Sequence, residues 1–219
     1  MVPILSIVGR SNSGKTTLLE KLVRELTDRG RRIGTIKHHF HGPVEVDVPG
    51  KDSWRHKRAG ARTVALASPD TLFVVGEVAG EWSLEAIAHQ ALFEVDLILT
   101  EGFKSGPMPK IEVNRAAQSM PLLCGSEDHL VAVVTDRDLT LPVPCFGLDE
   151  VGPLVDFIER EFPKETDPSC VDVLVGGRRI ALDSQSQEIL ARVVRSLVGD
   201  CRDLSSGPPI ELRIRGQSP

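Results

Sequence analysis

The stretch Ile4-Leu5-Ser6-Ile7-Val8-Gly9-Arg10-Ser11-Asn12-Ser13-Gly14-Lys15-Thr16-Thr17 decides the fold, because Gly9 to Thr16 fills every fixed position of G-x-x-x-x-G-K-[ST]. The apolar run in front of it reads as a buried strand. Behind it, Leu18, Leu19, Leu22, Val23 and Leu26 fall on one helical face, and Gly30 supplies a stop signal. Strand, glycine loop and helix together form the context in which this pattern binds phosphate. Glycine lets the backbone wrap closely around an anion, while successive N–H groups and the helix N-terminus point at it. Lys15 adds a point charge for the outer phosphates, and the Thr16 hydroxyl is placed for Mg²⁺. Gly9, Ser11, Asn12, Ser13, Gly14, Lys15, Thr16 and Thr17 are therefore the expected triphosphate cradle. A glycine turn that binds nothing would not need both flanking elements.

Working outward, strands and helices alternate through the first 160 or so residues, which predicts a parallel sheet covered by helices. Arg32 to Lys37 reads as a second strand and Lys51 to Gly60 as a short polar helix. Arg62–Ala67 and Thr71–Val75 read as a strand pair around Ser68-Pro69-Asp70, and Ser83 as the N-cap of the helix that follows. Val95–Thr100, Lys110–Asn114, Leu130–Val134 and Pro144–Gly147 supply further strands, and a helix through Val155, Phe157 and Ile158 closes the domain. The expected division is a P-loop nucleoside triphosphatase domain over residues 1–163 and a small α+β appendage over 164–219. The second part begins in the linker Pro163–Pro168. Its strands Val171–Val175 and Arg178–Leu182 flank the hairpin signal Gly176-Gly177. A helix from Ser184 to Val198 and a last strand, Ile210–Ile214, complete it.

With 219 residues and 41% hydrophobic content the chain can bury a sizeable core. A net charge of −5 without a basic run argues against nucleic acid as the main partner. Cys124, Cys145, Cys170 and Cys201 are scattered, which gives neither a zinc pattern nor a disulfide framework and fits a reducing cytoplasm. No apolar segment approaches the ~18 residues of a membrane helix, and no leader is apparent, so a cytoplasmic protein is expected.

A phosphate loop needs partners, and three regions offer them. Glu101 directly follows Leu97-Ile98-Leu99-Thr100, so it should project at the carboxyl edge of the sheet, where open α/β sheets bind ligands. A carboxylate there can hold Mg²⁺ or orient an attacking water, which makes Glu101 and Lys15 the candidate catalytic pair, with Thr16 and Glu101 on the metal side. Lys37-His38-His39-Phe40-His41 and the following Asp47 to Ser53 leave the second strand at the same edge and form a candidate lid. Asp47 and Asp52 are its magnesium-side acceptors; Lys37, Lys51 and Arg55 are its phosphate or substrate donors. His38, His39, His41 and His56 suggest a transition metal, but no cysteine or matched pair accompanies them, so a polar loop is the preferred reading. Third, Thr135-Asp136-Arg137-Asp138 leaves a late strand where an acidic residue can accept from guanine N–H donors. Thr135 and Asp138 keep the [NT]-K-x-D spacing but Asp136 replaces its lysine, so base identity stays open on spacing alone.

Taken in order, SNSGKTTLLEKL, GTIKHH, VDVPGKDSWRHKRAGA, VDLILTEGFK, PKIEVNR and VAVVTD make the chain resemble the bacterial molybdopterin-guanine dinucleotide biosynthesis protein B family over about Met1 to Phe162. The resemblance implies a dimeric GTP-binding protein with weak GTPase activity. It implies an accessory role beside the guanylyltransferase of the molybdenum cofactor pathway, with molybdopterin as a further candidate ligand. It places Gly9 to Thr17 on the triphosphate, Thr16 and Glu101 on Mg²⁺, and Asp47 with Gly50 to Ser53 on the loop facing GTP. It makes Asp136 the guanine acceptor, and Lys104, Lys110 and Arg115 basic positions for a phosphate or a partner enzyme. The HHFH run departs from the family's usual histidine spacing, and the tail from Lys164 resembles an extension of its longer members. A small-molecule kinase and a related P-loop ATPase are the alternatives.

Overall fold

The computed structural model describes residues 2–39, 42, 44, 47–92, 94–164, 173–175, 178–180 and 182–198. Its contacts divide the chain into two units, Met1–Glu165 and Thr166–Pro219. In chain order the first holds β1 (Ile4–Gly9), α1 (Lys15–Asp28), β2 (Ile33–Lys37), α2 (Asp52–Arg58), β3 (Thr63–Ala67) and β4 (Leu72–Gly76). There follow α3 (Leu84–Ala91), β5 (Leu97–Glu101), β6 (Lys110–Asn114), β7 (Leu130–Thr135), β8 (Cys145–Phe146) and α4 (Val151–Glu161).

Six of these strands form one sheet in the order β2-β5-β1-β6-β7-β8, with every pairing parallel. The α/β class with a helix-covered parallel sheet is the one expected. β1 occupies the interior, and its apolar run is continuous because both faces are covered. Leu5 and Ile7 meet Leu18, Leu22 and Leu26 of α1 and Leu154, Val155 and Ile158 of α4 on one face. Ile4, with Ile36 and Ile98, meets Leu84 of α3 on the other. Ser83 caps α3 as its sequence suggests, accepting from the Ala86 N–H at 3.2 Å.

On this second face irregular segments cover β6. Lys110, Glu112 and Asn114 alternate with Ile111 and Val113, a pattern that ordinarily marks a solvated face, yet all three are buried. Their side chains satisfy the backbone of the irregular segments that cover them. Lys110 Nζ donates to the carbonyls of Gly106, Met108 and Asp128 at 2.6, 3.1 and 2.7 Å. The Glu112 carboxylate accepts from the N–H groups of Leu123 and Cys124, and Asn114 donates to the Met120 carbonyl. Buried backbone outside regular structure must find such partners. Lys110 is thereby a structural lysine, and its expected service to a phosphate or partner is corrected. Two short 3-10 turns, Ala116–Gln118 and Ser126–Asp128, also lie where no element was expected.

β3 and β4 pair antiparallel as a separate hairpin, outside the main sheet. Leu66, Leu72 and Val74 on it are more than half exposed.

In the second unit, β9 (Val173–Val175) and β10 (Arg178–Ile180) pair antiparallel, and α5 (Ser184–Val198) follows. Asp183 caps α5, accepting from the Ser186 N–H and hydroxyl at 2.8 and 2.9 Å. The Gly176-Gly177 turn and the expected strand Ile210–Ile214 lie outside the described residues.

Candidate nucleotide site

The phosphate loop leaves β1 at the carboxyl edge of the sheet. Gly9 takes φ +150°, and a Cβ there would sit 2.6 Å from the Val113 carbonyl oxygen and 2.7 Å from Ser13 Oγ. Only glycine lets the loop leave the strand so close to β6. Asn12 (φ +60°) and Gly14 (φ +95°) take left-handed conformations, and Gly14 is the N-cap of α1 without a side-chain cap. The first N–H groups of α1 therefore have no capping side chain, as an anion-binding terminus requires. Ser13 Oγ is buried and finds no partner in the described chain. That orphaned donor, the glycine that admits no Cβ and the uncapped helix start fit a bound phosphate.

Lys15 Nζ donates to the Arg10 carbonyl at 2.7 Å, folding the side chain back over the loop. Burial pushes its pKa below the ordinary lysine value; the Glu101 carboxylate acts in the opposite sense, and the Lys37 ammonium lowers it further. The Thr16 hydroxyl donates to Glu101 Oε2 at 3.0 Å, and Lys37 Nζ lies 3.4 Å from Glu101 Oε1. Parallel pairing sets Ile7 beside Glu101, and Lys37 beside Glu101 from the other side, so three adjacent strands converge here. The Thr16 hydroxyl and Glu101 form an oxygen pair that suits Mg²⁺, which takes few protein ligands and keeps several waters. Among the described residues no group of three or more His, Cys, Asp or Glu is arranged to hold a metal; His41 is outside them.

A second brace reaches the loop from β6 and β7. Gln118 Nε2 donates to the Ser11 carbonyl at 2.8 Å, and Arg115 Nη1 approaches Gly14. Asp136 Oδ1 accepts the Ala116 N–H at 2.6 Å, and its Oδ2 lies 3.7 Å from Arg115 Nε. The Ala116 N–H, chiefly, and then Arg115 hold the Asp136 carboxyl below the usual carboxylate range. Asp138 is exposed at the same strand exit. Gln118 carries no motif signal, and only its position after β6 betrays it.

The remaining predicted residues stay apart. Asp47 accepts its neighbour Val48's N–H, Lys51 is the exposed residue before α2, and Asp52 pairs with Arg55 at 3.7 Å. Among the described residues no polar contact joins these three to the phosphate loop. Lys104 is exposed. His38 stacks on Phe103, with centroids 4.5 Å apart, and its Nε2 lies 2.8 Å from Glu81 Oε1. Phe103 belongs to the VDLILTEGFK stretch without a role of its own, and Glu81 carries no motif signal.

Residues 4–136 match the family described as Molybdopterin guanine dinucleotide synthesis protein B. The molybdopterin-guanine dinucleotide biosynthesis adapter protein of Haemophilus influenzae is 40% identical over 162 residues, which cover 73% of this chain and 89% of that one. The adapter protein of the same description from Escherichia coli is 36% identical, over 75% of this chain and 96% of the other. In three dimensions the crystal structure of Bacillus subtilis MobB superposes with a TM-score of 0.59 at 28% identity, covering 73% of this chain and 98% of that one.

Proposed function

The chain belongs to the molybdopterin guanine dinucleotide synthesis protein B family, and from that premise we propose that it is a GTP-binding adapter in the assembly of molybdopterin guanine dinucleotide. The observation that carries the nucleotide part is the convergence of Lys15, Thr16 and Glu101 at the carboxyl edge of the sheet. In this reading the loop from Gly9 to Thr17 holds the triphosphate, and Lys15 neutralises its outer phosphates. Thr16 and Glu101 would hold Mg²⁺, which would spread the charge of the phosphates. Asp136 accepts from the guanine edge with the oxygen capacity left by Ala116 and Arg115. Asp47, Lys51 and Asp52 belong to a lid that reaches the nucleotide only on closing. Hydrolysis is expected to be weak, since Glu101, paired with Thr16 and Lys37 in the ligand-free chain, serves the metal side and is not left to orient water.

The adapter acts beside a guanylyltransferase of the same pathway, in the cytoplasm, as a homodimer. Exposed apolar residues on the two-stranded β3–β4 hairpin support the dimer, since such a hairpin is marginal without a cover. Among the described residues no helix is long and apolar enough to cross a membrane.

Calorimetric titration with non-hydrolysable GTP and ATP analogues, with and without Mg²⁺, tests the reading. Magnesium-dependent preference for GTP, with slow turnover of GTP itself, is expected. Equal or tighter binding of ATP would replace it with the kinase or ATPase alternative.

A further inference from the structure

A cavity of about 350 Å³ opens between the segment leading into α3 and the segment that follows β5. Such a volume is at the small end of ligand pockets, the size for a compact ring system. Trp82, Phe103, Pro107 and Met108 supply apolar and aromatic lining, and Glu81 and Glu85 supply carboxylates. Its inner wall is held in an uncommon conformation. Gly102 (φ +104°) and Phe103 (φ +56°) are both left-handed, directly after Glu101. A bulky aromatic residue rarely sits there, and such strain gathers at ligand sites. The turn lays the Phe103 ring on His38, at 17° between planes, and His38 in turn meets Glu81. A Cβ on Gly102 would come 3.1 Å from His38 Cβ, so the arrangement is closely packed.

Aromatic and thioether walls suit a flat ring. Carboxylates at its edge select a ring with adjacent N–H donors. The 2-amino-4-oxo-pyrimidine edge has that pattern, a ring N–H beside an amino group, and one carboxylate can accept from both. Guanine and pterins share this edge, and topology separates them. Asp136, proposed for guanine, leaves β7, whereas the cavity follows β5, and β1 with its phosphate loop runs between. We propose that this cavity receives the pterin ring of molybdopterin, stacked on Trp82 or Phe103 with its donor edge on Glu85. His38 positions the Phe103 ring and Glu81. The inference rests on the pathway assignment made above.

The test is a fluorescence titration of the full chain with 6-hydroxymethylpterin, alone and with a saturating non-hydrolysable GTP analogue. Saturable quenching that persists beside the GTP analogue is expected. Trp82→Ala and Glu85→Gln, at exposed and half-buried positions, should each weaken pterin binding about tenfold, the worth of a stacked ring or a charge-assisted hydrogen bond. Both should leave affinity for the GTP analogue unchanged. Absence of wild-type quenching, or quenching indifferent to both substitutions, overturns the proposal. Displacement of the pterin by the GTP analogue also overturns it and gives the cavity to guanine. If the substitutions spare the pterin but abolish capture of the purified guanylyltransferase, the cavity is a protein-docking surface and the proposal falls. Pterin binding in a chain that fails to bind the GTP analogue would sustain the cavity and remove the nucleotide reading instead.

Discussion

Thr16 and Glu101, 85 residues apart in the chain, are joined by a 3.0 Å hydrogen bond from the Thr16 hydroxyl to the Glu101 carboxylate. The first turn of α1 and the last residue of β5 thus share one polar contact. Glu101→Gln keeps the shape but loses the charge, so nucleotide affinity should fall about tenfold in Mg²⁺ and become indifferent to its removal. Lys15→Ala should cost about tenfold to a hundredfold in either condition. Titration calorimetry with and without a chelator separates the two; wild-type metal dependence in Glu101→Gln would reject its role.

Gly9→Ala tests the cradle itself. The new Cβ would overlap the Val113 carbonyl and Ser13 Oγ, so stability should drop by about 2 kcal/mol and phosphate binding with it. Thermal melts with and without nucleotide check this, and an unperturbed, nucleotide-stabilised variant would contradict the close approach.

Nucleotide binding should be linked to protons through Lys15. Its pKa lies below the ordinary lysine value in the free protein, and a bound triphosphate, being anionic, raises it. Binding at a pH near the lowered value should therefore take up protons, and affinity should decline as pH rises through it, earlier than an ordinary lysine would dictate. For the ligand-free chain the sign is opposite: the folded state holds fewer protons in that window, so stability rises with pH. Calorimetry in buffers of different ionisation enthalpy measures the uptake; Lys15→Ala should abolish it.

Asp136→Asn should relax the preference for GTP over ATP analogues. It keeps an oxygen for the Ala116 N–H, so the turn should survive while the charge seen by guanine disappears. Competition binding reads the ratio, and a shift produced by Asp138→Asn alone would move the assignment two residues on.

Asp96 anchors the start of β5. Its nearly buried carboxylate accepts from the Arg32 N–H and guanidinium and lies 3.0 Å from Lys164 Nζ. Arg32 above all holds it well below the usual carboxylate range. A lowered carboxylate pKa contributes stability above the unfolded value that is lost as pH falls. Asp96→Asn should cost about 2 kcal/mol at neutral pH, with the gap to wild type closing below about pH 4. Parallel denaturant melts across pH would show a constant gap if the ion pairs contributed nothing.

The fold class was legible because Ile4–Val8, the glycine loop and the α1 periodicity agree on one answer at every level. Glu101 was legible for a related reason: the end of an apolar strand is a place, not only a residue type. The burial of Lys110, Glu112 and Asn114 was not legible, since period-two polarity does not say whether water or irregular backbone covers the polar side. The Gln118–Ser11 brace and the His38–Phe103 stack depend on which strands become neighbours, and no local spacing encodes that.

Lys110 carries one more consequence. Its amine is enclosed by three carbonyl oxygens, so an acylating reagent can reach it only after those segments open. In a timed labelling experiment read by peptide mass, Lys104 would react at once and Lys15 according to what fills the loop. Lys110 would report how often the molecule comes apart around β6, making an ordinary surface chemistry into a gauge of the interior.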